Sequence, residues 1–435
     1  MFSLSLIRDL CLTPGLRGSE ISLMDINEQR LDSIHRLTVR YAEEMDAGIT
    51  ATKTTDRRES LAGADFVINT ALVPGWEKLR GGWDIARRLS YRWGGSLHVM
   101  HDEAFWINYP QLAFFEEVVE DVLDVCPNVW YLQVANPVLA GTTHLTQKYP
   151  ALKIVGLCHG FSGVYRIADA LGLDRDKLTY EIPGVNHTLF ATHIYYEGRD
   201  VFPLLDRWIE EEAETYWKTA RSSDDRSPQA IDLYKRFGVF PNGDICTPGG
   251  GSWPWWYHTY AATEARWQED PEVLWERYFT HGVEGVDEIE AAARDESTPV
   301  STVFPRKHSG EVMVPMIEAL ATDTAKVLIG NVPNRGEYVP GVPRDFAVEI
   351  PLLVTKRGIE PIQAKPLPQA VISHILYDRV ATVTLEIEAF KTGSKARLLE
   401  LVQLDPFTRL LQQAETLLNE ILDMPGHEVL KAHYV

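Results

Sequence analysis

Two short apolar runs, Val129–Val134 and Ile154–Leu157, are each followed at once by polar residues able to do chemistry: Asn136 after the first, Cys158 and His159 after the second. Apolar runs this short and without alternation read as strands buried on both faces, which parallel sheets covered by helices require. Parallel strands need long crossover connections, usually helices. The strongly periodic Pro110–Val125 stretch before the first run and Gly160–Leu171 after the second supply them. The chain is therefore read as an α/β protein, and in such sheets ligands bind just beyond the carboxyl ends of the strands. A later Gly184-Val185-Asn186-His187 turn adds an imidazole to the thiol of Cys158, and together they form a pair suited to a metal ion. Taken singly, each has a plainer reading, Cys158 as a small buried hydrophobe and His187 as a loop hydrogen-bonder.

A chain of 435 residues is long enough for two domains, and its net charge of -20 argues against nucleic acid and anionic membranes as partners. The cysteines at 11, 126, 158 and 246 show no CxxC or disulfide spacing, which suits a reducing compartment and a free thiolate ligand. Arg8 and Asp9 interrupt the apolar start, so it does not read as a signal peptide, and a cytoplasmic location is expected.

Toward the N-terminus, Phe2–Leu12 has the spacing of one helical face. Ile21–Met24 reads as a strand ending in Asp25, and Glu28–Glu44 as an amphipathic helix. Strand, acidic residue, helix is the second part of a dinucleotide-binding unit, and Asp25 stands where a carboxylate would hold the ribose hydroxyls. A helix N-cap is its plainer role. Ile49–Thr52 and Phe66–Asn69 are further strands, the second ending in Asn69-Thr70 at the same sheet edge. The regular alternation stops between residues 165 and 180, which divides the chain into residues 1–170 and 171–435.

Asn136-Pro137 after one strand, Thr142, Gly156-Leu157-Cys158 closing the next and Asn186-His187 beyond it resemble the signature of glycoside hydrolase family 4. These are NAD- and metal-dependent glycosidases that stand outside the two-carboxylate scheme. The resemblance implies a Rossmann-like dinucleotide-binding domain followed by an α+β domain for substrate, metal and oligomerisation. Family members carry a first strand and a Gly-rich loop ahead of the segment matching Ser3–Leu10. This sequence has neither, so a start codon further upstream is expected. By the same resemblance Ser3, Asp25, Asn69, Thr70 and Asn136 would contact NAD, while Cys158 and His187 would hold Mn²⁺ or another divalent metal. Asp244, by its spacing from His187, would be the base. Other branches place an acidic Asp directly after the metal cysteine. Here that residue is His159, with Asp102 as its rival for the role of general acid.

The implied substrate is a small sugar or uronide bound by Asn136, Asn186, Arg306 and His308, with an α-galacturonide favoured and an α-glucoside or α-glucuronide next. The implied reaction oxidises sugar C3, removes the C2 proton, expels the C1 group, adds water and reverses. A homodimer or homotetramer is expected. The Trp253–His258 aromatic run reads equally as a sugar-stacking lid or as core, and the Asn331 and Asn334 strand segment with Phe346–Pro351 as structural. Two other readings compete: a 2-hydroxy-acid dehydrogenase of the malate/lactate type, and a cofactor-deficient homologue without catalysis.

Overall fold

A computed structural model describes residues 2–91, 103–219, 226–246, 255–257 and 259–435. Three parallel strands form the part foreseen from the apolar runs: β3 (Phe66–Asn69), β4 (Trp130–Gln133) and β5 (Lys153–Gly156), paired in that order. Between them run the helices Phe105–Val125 and Val138–Lys148. The first begins five residues before Pro110, which sits inside it. Burial of Phe105, Trp106 and Ile107 outweighs the hydrogen bond that the proline removes.

The sheet does not stop at residue 170. β12 (Lys326–Pro333) joins β5 antiparallel at the Asn331–Gly156 pair. β13 (Ala347–Thr355) follows it along the whole strand. Beyond β13 come the short strands β7 (Gly184–Val185), β8 (Thr188–Ala191) and β11 (Phe240–Gly243), while β14 (Gly358–Pro361) pairs with β13. The result is one nine-stranded mixed sheet, with a continuous apolar core from Val155 through Ile329 and Ile350 to Leu189 and Phe240. Antiparallel strands on a parallel sheet carry no helical crossover, so their partners are not readable from βα alternation.

α1 (Phe2–Leu12) precedes β1 (Glu20–Met24), which leads through α2 (Glu28–Glu44) to β2 (Thr50–Thr54). β1 and β2 pair in parallel with each other and form a separate two-stranded sheet, while β3 ends the large one. A third, small sheet holds β6 (Leu178–Glu181), β9 (His193–Tyr196) and β10 (Arg199–Asp200). The Thr188–Tyr196 stretch is thus two strands in different sheets, divided at Thr192. The helix Phe202–Glu211 breaks at Glu212 before the next, Ala213–Trp217. The C-terminal helix Leu411–Leu422 buries Leu417, Leu418 and Ile421 against Leu79 and Trp83 of the early helix Gly75–Arg88. Among the described residues no helix is long and apolar enough to cross a membrane.

One glycine decides how closely the helix Val138–Lys148 approaches the sheet. A Cβ on Gly156 would lie 2.3 Å from Thr142 Oγ1 and 3.0 Å from Asn331 Cβ. Both neighbours are fully buried and unable to retreat. Gly156→Ala is expected to destabilise the fold by about 1–3 kcal/mol through overpacking, read as a lower denaturant midpoint at unchanged slope. An unchanged midpoint would show that the helix yields instead.

Candidate active site

Cys158 stands two residues beyond the end of β5, and His187 lies in the turn between β7 and β8. The sheet brings them together: Cys158 Sγ and His187 Nε2 are 3.7 Å apart. Two ligands bound at about 2.3 Å (sulfur) and 2.1 Å (nitrogen) to one ion at a tetrahedral angle would be about 3.6 Å apart. The geometry therefore fits a metal ion shared by the two side chains. Among the described residues no cluster of three His, Cys, Asp or Glu occurs.

The other ring nitrogen is braced. His187 Nδ1–H donates to Asp244 Oδ2 at 2.7 Å, with 14 % of the histidine and 17 % of the aspartate side chain exposed. A carboxylate behind a metal-ligating histidine fixes its tautomer and ring orientation. Burial opposes a charge on His187, but the Asp244 carboxylate and the Cys158 sulfur outweigh it and raise its pKa well above the usual value. A metal arriving at Nε2 would displace a proton there, the usual coupling of metal binding to protonation.

Backbone geometry makes this contact possible. His187 sits at φ +63°, a left-handed conformation unusual for a residue with a side chain. Gly243, at the end of β11, has φ +83°, and a Cβ there would lie 2.6 Å from the His187 carbonyl oxygen. The Asp244 N–H then donates to that same carbonyl at 3.1 Å. Asp244 follows a strand and opens a short 3-10 turn.

The remaining expected site residues divide by position. Asn136 ends up half-buried in the loop after β4, its carbonyl accepting from Gln111 Nε2 at 2.7 Å. Gln111, fully buried on Phe105–Val125, also donates to the Ala71 carbonyl at 3.0 Å and accepts from the Val73 N–H at 2.7 Å. One side chain thus ties the loops after β3 and β4 together, a role the sequence did not announce. The Asn69 amide turns inward, donating to the Tyr131 hydroxyl at 2.9 Å, whereas Thr70 beside it is half-buried at the strand end. Asp25 lies at the end of β1 and accepts from the Asn27 N–H, and Asn27, not Asp25, caps α2. Ser3 lies in the first turn of α1.

His159 is largely exposed, with 59 % of its side chain accessible, and its Nδ1 is 3.7 Å from Glu311 Oε1. Burial, helped by Asp9, raises the Glu311 pKa although His159 pulls it down. Arg306 and His308 are exposed, and His308 stands 3.9 Å from Asp9 of α1. Asn186 is fully buried, donating through Nδ2 to Glu349 Oε2 at 2.8 Å. Asp102 lies outside the described residues, as does most of the Trp253–His258 run. Within that run Trp255 is exposed and Tyr257 is core. Arg379, almost fully buried in a π-helical turn at Leu376–Val380, donates from Nε to Thr188 Oγ1 at 2.7 Å, one residue from His187. The Leu376–Val380 turn interrupts an otherwise helical stretch, and such turns recur at functional sites.

Gly243→Ala is expected to weaken Mn²⁺ binding at least about tenfold, because a left-handed residue with a Cβ costs about 1–2 kcal/mol and pushes Asp244 off His187. Titration of free Mn²⁺ checks it, and unaltered affinity would show that the brace is dispensable.

Comparison with known proteins identifies the family. The family 4 glycosyl hydrolase sequence profile matches residues 1–173, and that of the family 4 glycosyl hydrolase C-terminal domain matches residues 182–408. An α-galactosidase of Bacillus subtilis is 24 % identical over 432 residues, covering 98 % of this chain and 94 % of that protein. An α-galacturonidase of Lachnoclostridium phytofermentans is 21 % identical over 464 residues, covering 95 % and 91 %. A 6-phospho-α-glucosidase from gut microorganisms, solved in complex with NAD and Mn²⁺, superposes with a TM-score of 0.77 at 19 % identity, covering 100 % of this chain and 95 % of that one. The chain belongs to the family 4 glycosyl hydrolases.

Proposed function

We propose that this protein cleaves the α-glycosidic bond of galacto-configured sugars, α-galactosides or α-galacturonides, by redox-assisted elimination with NAD and a divalent metal such as Mn²⁺. The observation that carries the reading is the Cys158–His187 pair at 3.7 Å with Asp244 behind it, at the carboxyl edge of a Rossmann-like sheet. A metal–base site of this kind serves proton abstraction next to a carbonyl better than direct displacement at C1. The solved relative with NAD and Mn²⁺ supports the cofactor assignment. The relatives acting on galactosides and galacturonides share the sugar configuration and differ at C6.

When bound, NAD supplies a reversible hydride acceptor for C3, and the metal a Lewis acid at the neighbouring oxygens. The chain's own residues do the rest. Cys158 and His187 hold the metal. Asp244 orients His187 and accepts the C2 proton. His159, exposed at the site entrance with Glu311 beside it, donates to the departing oxygen at C1. Asp25, after β1, holds the ribose, and Ser3 of α1 with Thr70 and Asn136, after β3 and β4, contacts the rest of the cofactor. His308 stands 3.9 Å from Asp9, whose carboxylate acts on the Glu311 beside His159, and with Arg306 it is the candidate cation for a substrate carboxylate.

The test supplies NAD⁺, Mn²⁺ and reductant with nitrophenyl α-galactoside, α-galacturonide and α-glucoside. One galacto-configured substrate should turn over, and Cys158→Ser should lower kcat/KM by at least about 100-fold. In deuterated water the released sugar should carry deuterium at C2, because the C2 proton is removed and returned. Turnover without that label would rule out elimination, and turnover of the glucoside alone would move the substrate to the gluco series.

A further inference from the structure

Four residues pair directly across the sheet in one row: Gly156 on β5, Asn331 on β12, Glu349 on β13 and Gly184 on β7. The two glycines flank the polar pair, with the pairing running on to Gln133 and Leu189, and each lies two or three residues before a ligand, Cys158 on one side and His187 on the other. The middle of the row is therefore a buried polar bar beneath the metal pair. Both of its side chains are fully buried, and so is Asn186, which links the bar to the His187 turn.

Donors and acceptors do not balance in this bar if Glu349 is ionised. Asn186 Nδ2 serves Glu349 Oε2, and Asn331 Nδ2 serves the Gly156 carbonyl at 3.3 Å. Among the described residues Glu349 Oε1, Asn331 Oδ1 and Asn186 Oδ1 have no hydrogen-bond partner, and all three are acceptors. Leaving such atoms unpaired in the interior is costly. A proton on Glu349 Oε1 turns one acceptor into a donor facing its cross-strand neighbour Asn331.

We infer that Glu349 is a neutral carboxylic acid that acts as a positioning residue, accepting from Asn186 and donating to Asn331, and so locks the left-handed His187 turn against the sheet. Burial, with Glu103 nearby, pushes its pKa up to about 7 against the opposing pull of Asn186, His187 and Asn331. This is the direction that a neutral acid needs. The turn is then held from three elements: by Glu349 through Asn186, by Asp244 through the ring, and by Arg379 through Thr188. The inference rests on the metal-site reading above, because it assigns Glu349 its role through His187.

Glutamine has the same outline as a neutral acid, with one acceptor and one donor in the same places, whereas leucine keeps the volume and removes both. In the full chain, titrated with Mn²⁺ and followed by the free-ion resonance signal, Glu349→Gln should stay within about threefold of the unmodified protein. Glu349→Leu should lose at least about tenfold, the scale of a lost supporting contact. Difference infrared spectra of the unmodified protein against Glu349→Gln should show one protonated-carboxyl band, a readout that does not need the leucine variant to fold. Loss of affinity in Glu349→Gln, wild-type affinity in Glu349→Leu, or absence of that band would each overturn the inference. Cys158→Ser separates the two levels: equal Mn²⁺ affinity in this variant and the unmodified protein would refute the metal site itself. A Cys158-dependent site indifferent to Glu349 would refute the positioning role alone.

Discussion

The structure depends on a single imidazole being kept in one orientation. His187 is placed between a sulfur and a carboxylate in surroundings that disfavour charge, and its pKa rises only because both neighbours are close. Such an arrangement is worth little if the ring can turn. The backbone at φ +63°, the Asp244 hydrogen bond and the glycine that admits Asp244 all restrict it, at a cost that the surrounding sheet must offset. The two side chains of the pair are accordingly carried on opposite arms of one continuous sheet.

Continuity of the sheet also shapes how the two halves communicate. The parallel strands carry Asn136 and Cys158 at their carboxyl ends, and the antiparallel strands carry His187 and Asp244. Between them lie β12 and β13, paired over eight residues each. A shift of either half relative to the other would have to break that ladder. The Cys158–His187 separation is therefore as rigid as the sheet. The return of the C-terminal helices onto the helix Gly75–Arg88 adds a second apolar contact between early and late sequence.

Part of the site was legible because its residues sit where strand periodicity changes abruptly to polar chemistry. Cys158, Asn136 and Asn69-Thr70 follow apolar runs whose direction and end the sequence makes plain, and the structure puts them at one edge. Asp25 follows β1 as its strand pattern suggested, and Asn27 rather than Asp25 caps α2. Asn334 behaves as the structural residue expected, with its side chain closing a turn onto Val339 and Val342. Gln111, Glu349 and Arg379 were not legible. Each lies inside a helix or strand pattern that reads as packing, and each acts on a residue more than twenty positions away, so no local signal marks it.

The sequence by itself determined the fold class, the edge where chemistry is placed and the pair of residues suited to a metal. All three are written in short-range patterns: apolar period, strand termini, and residue types at a turn. Tertiary structure alone decided how those pieces meet. The antiparallel extension that bridges β5 to the His187 turn depends on pairing between residues 165 and 175 positions apart. So does the buried row of Gly156, Asn331, Glu349 and Gly184. Register between distant strands is set by how their side chains share one core, and that is a property of the assembled sheet rather than of any stretch within it.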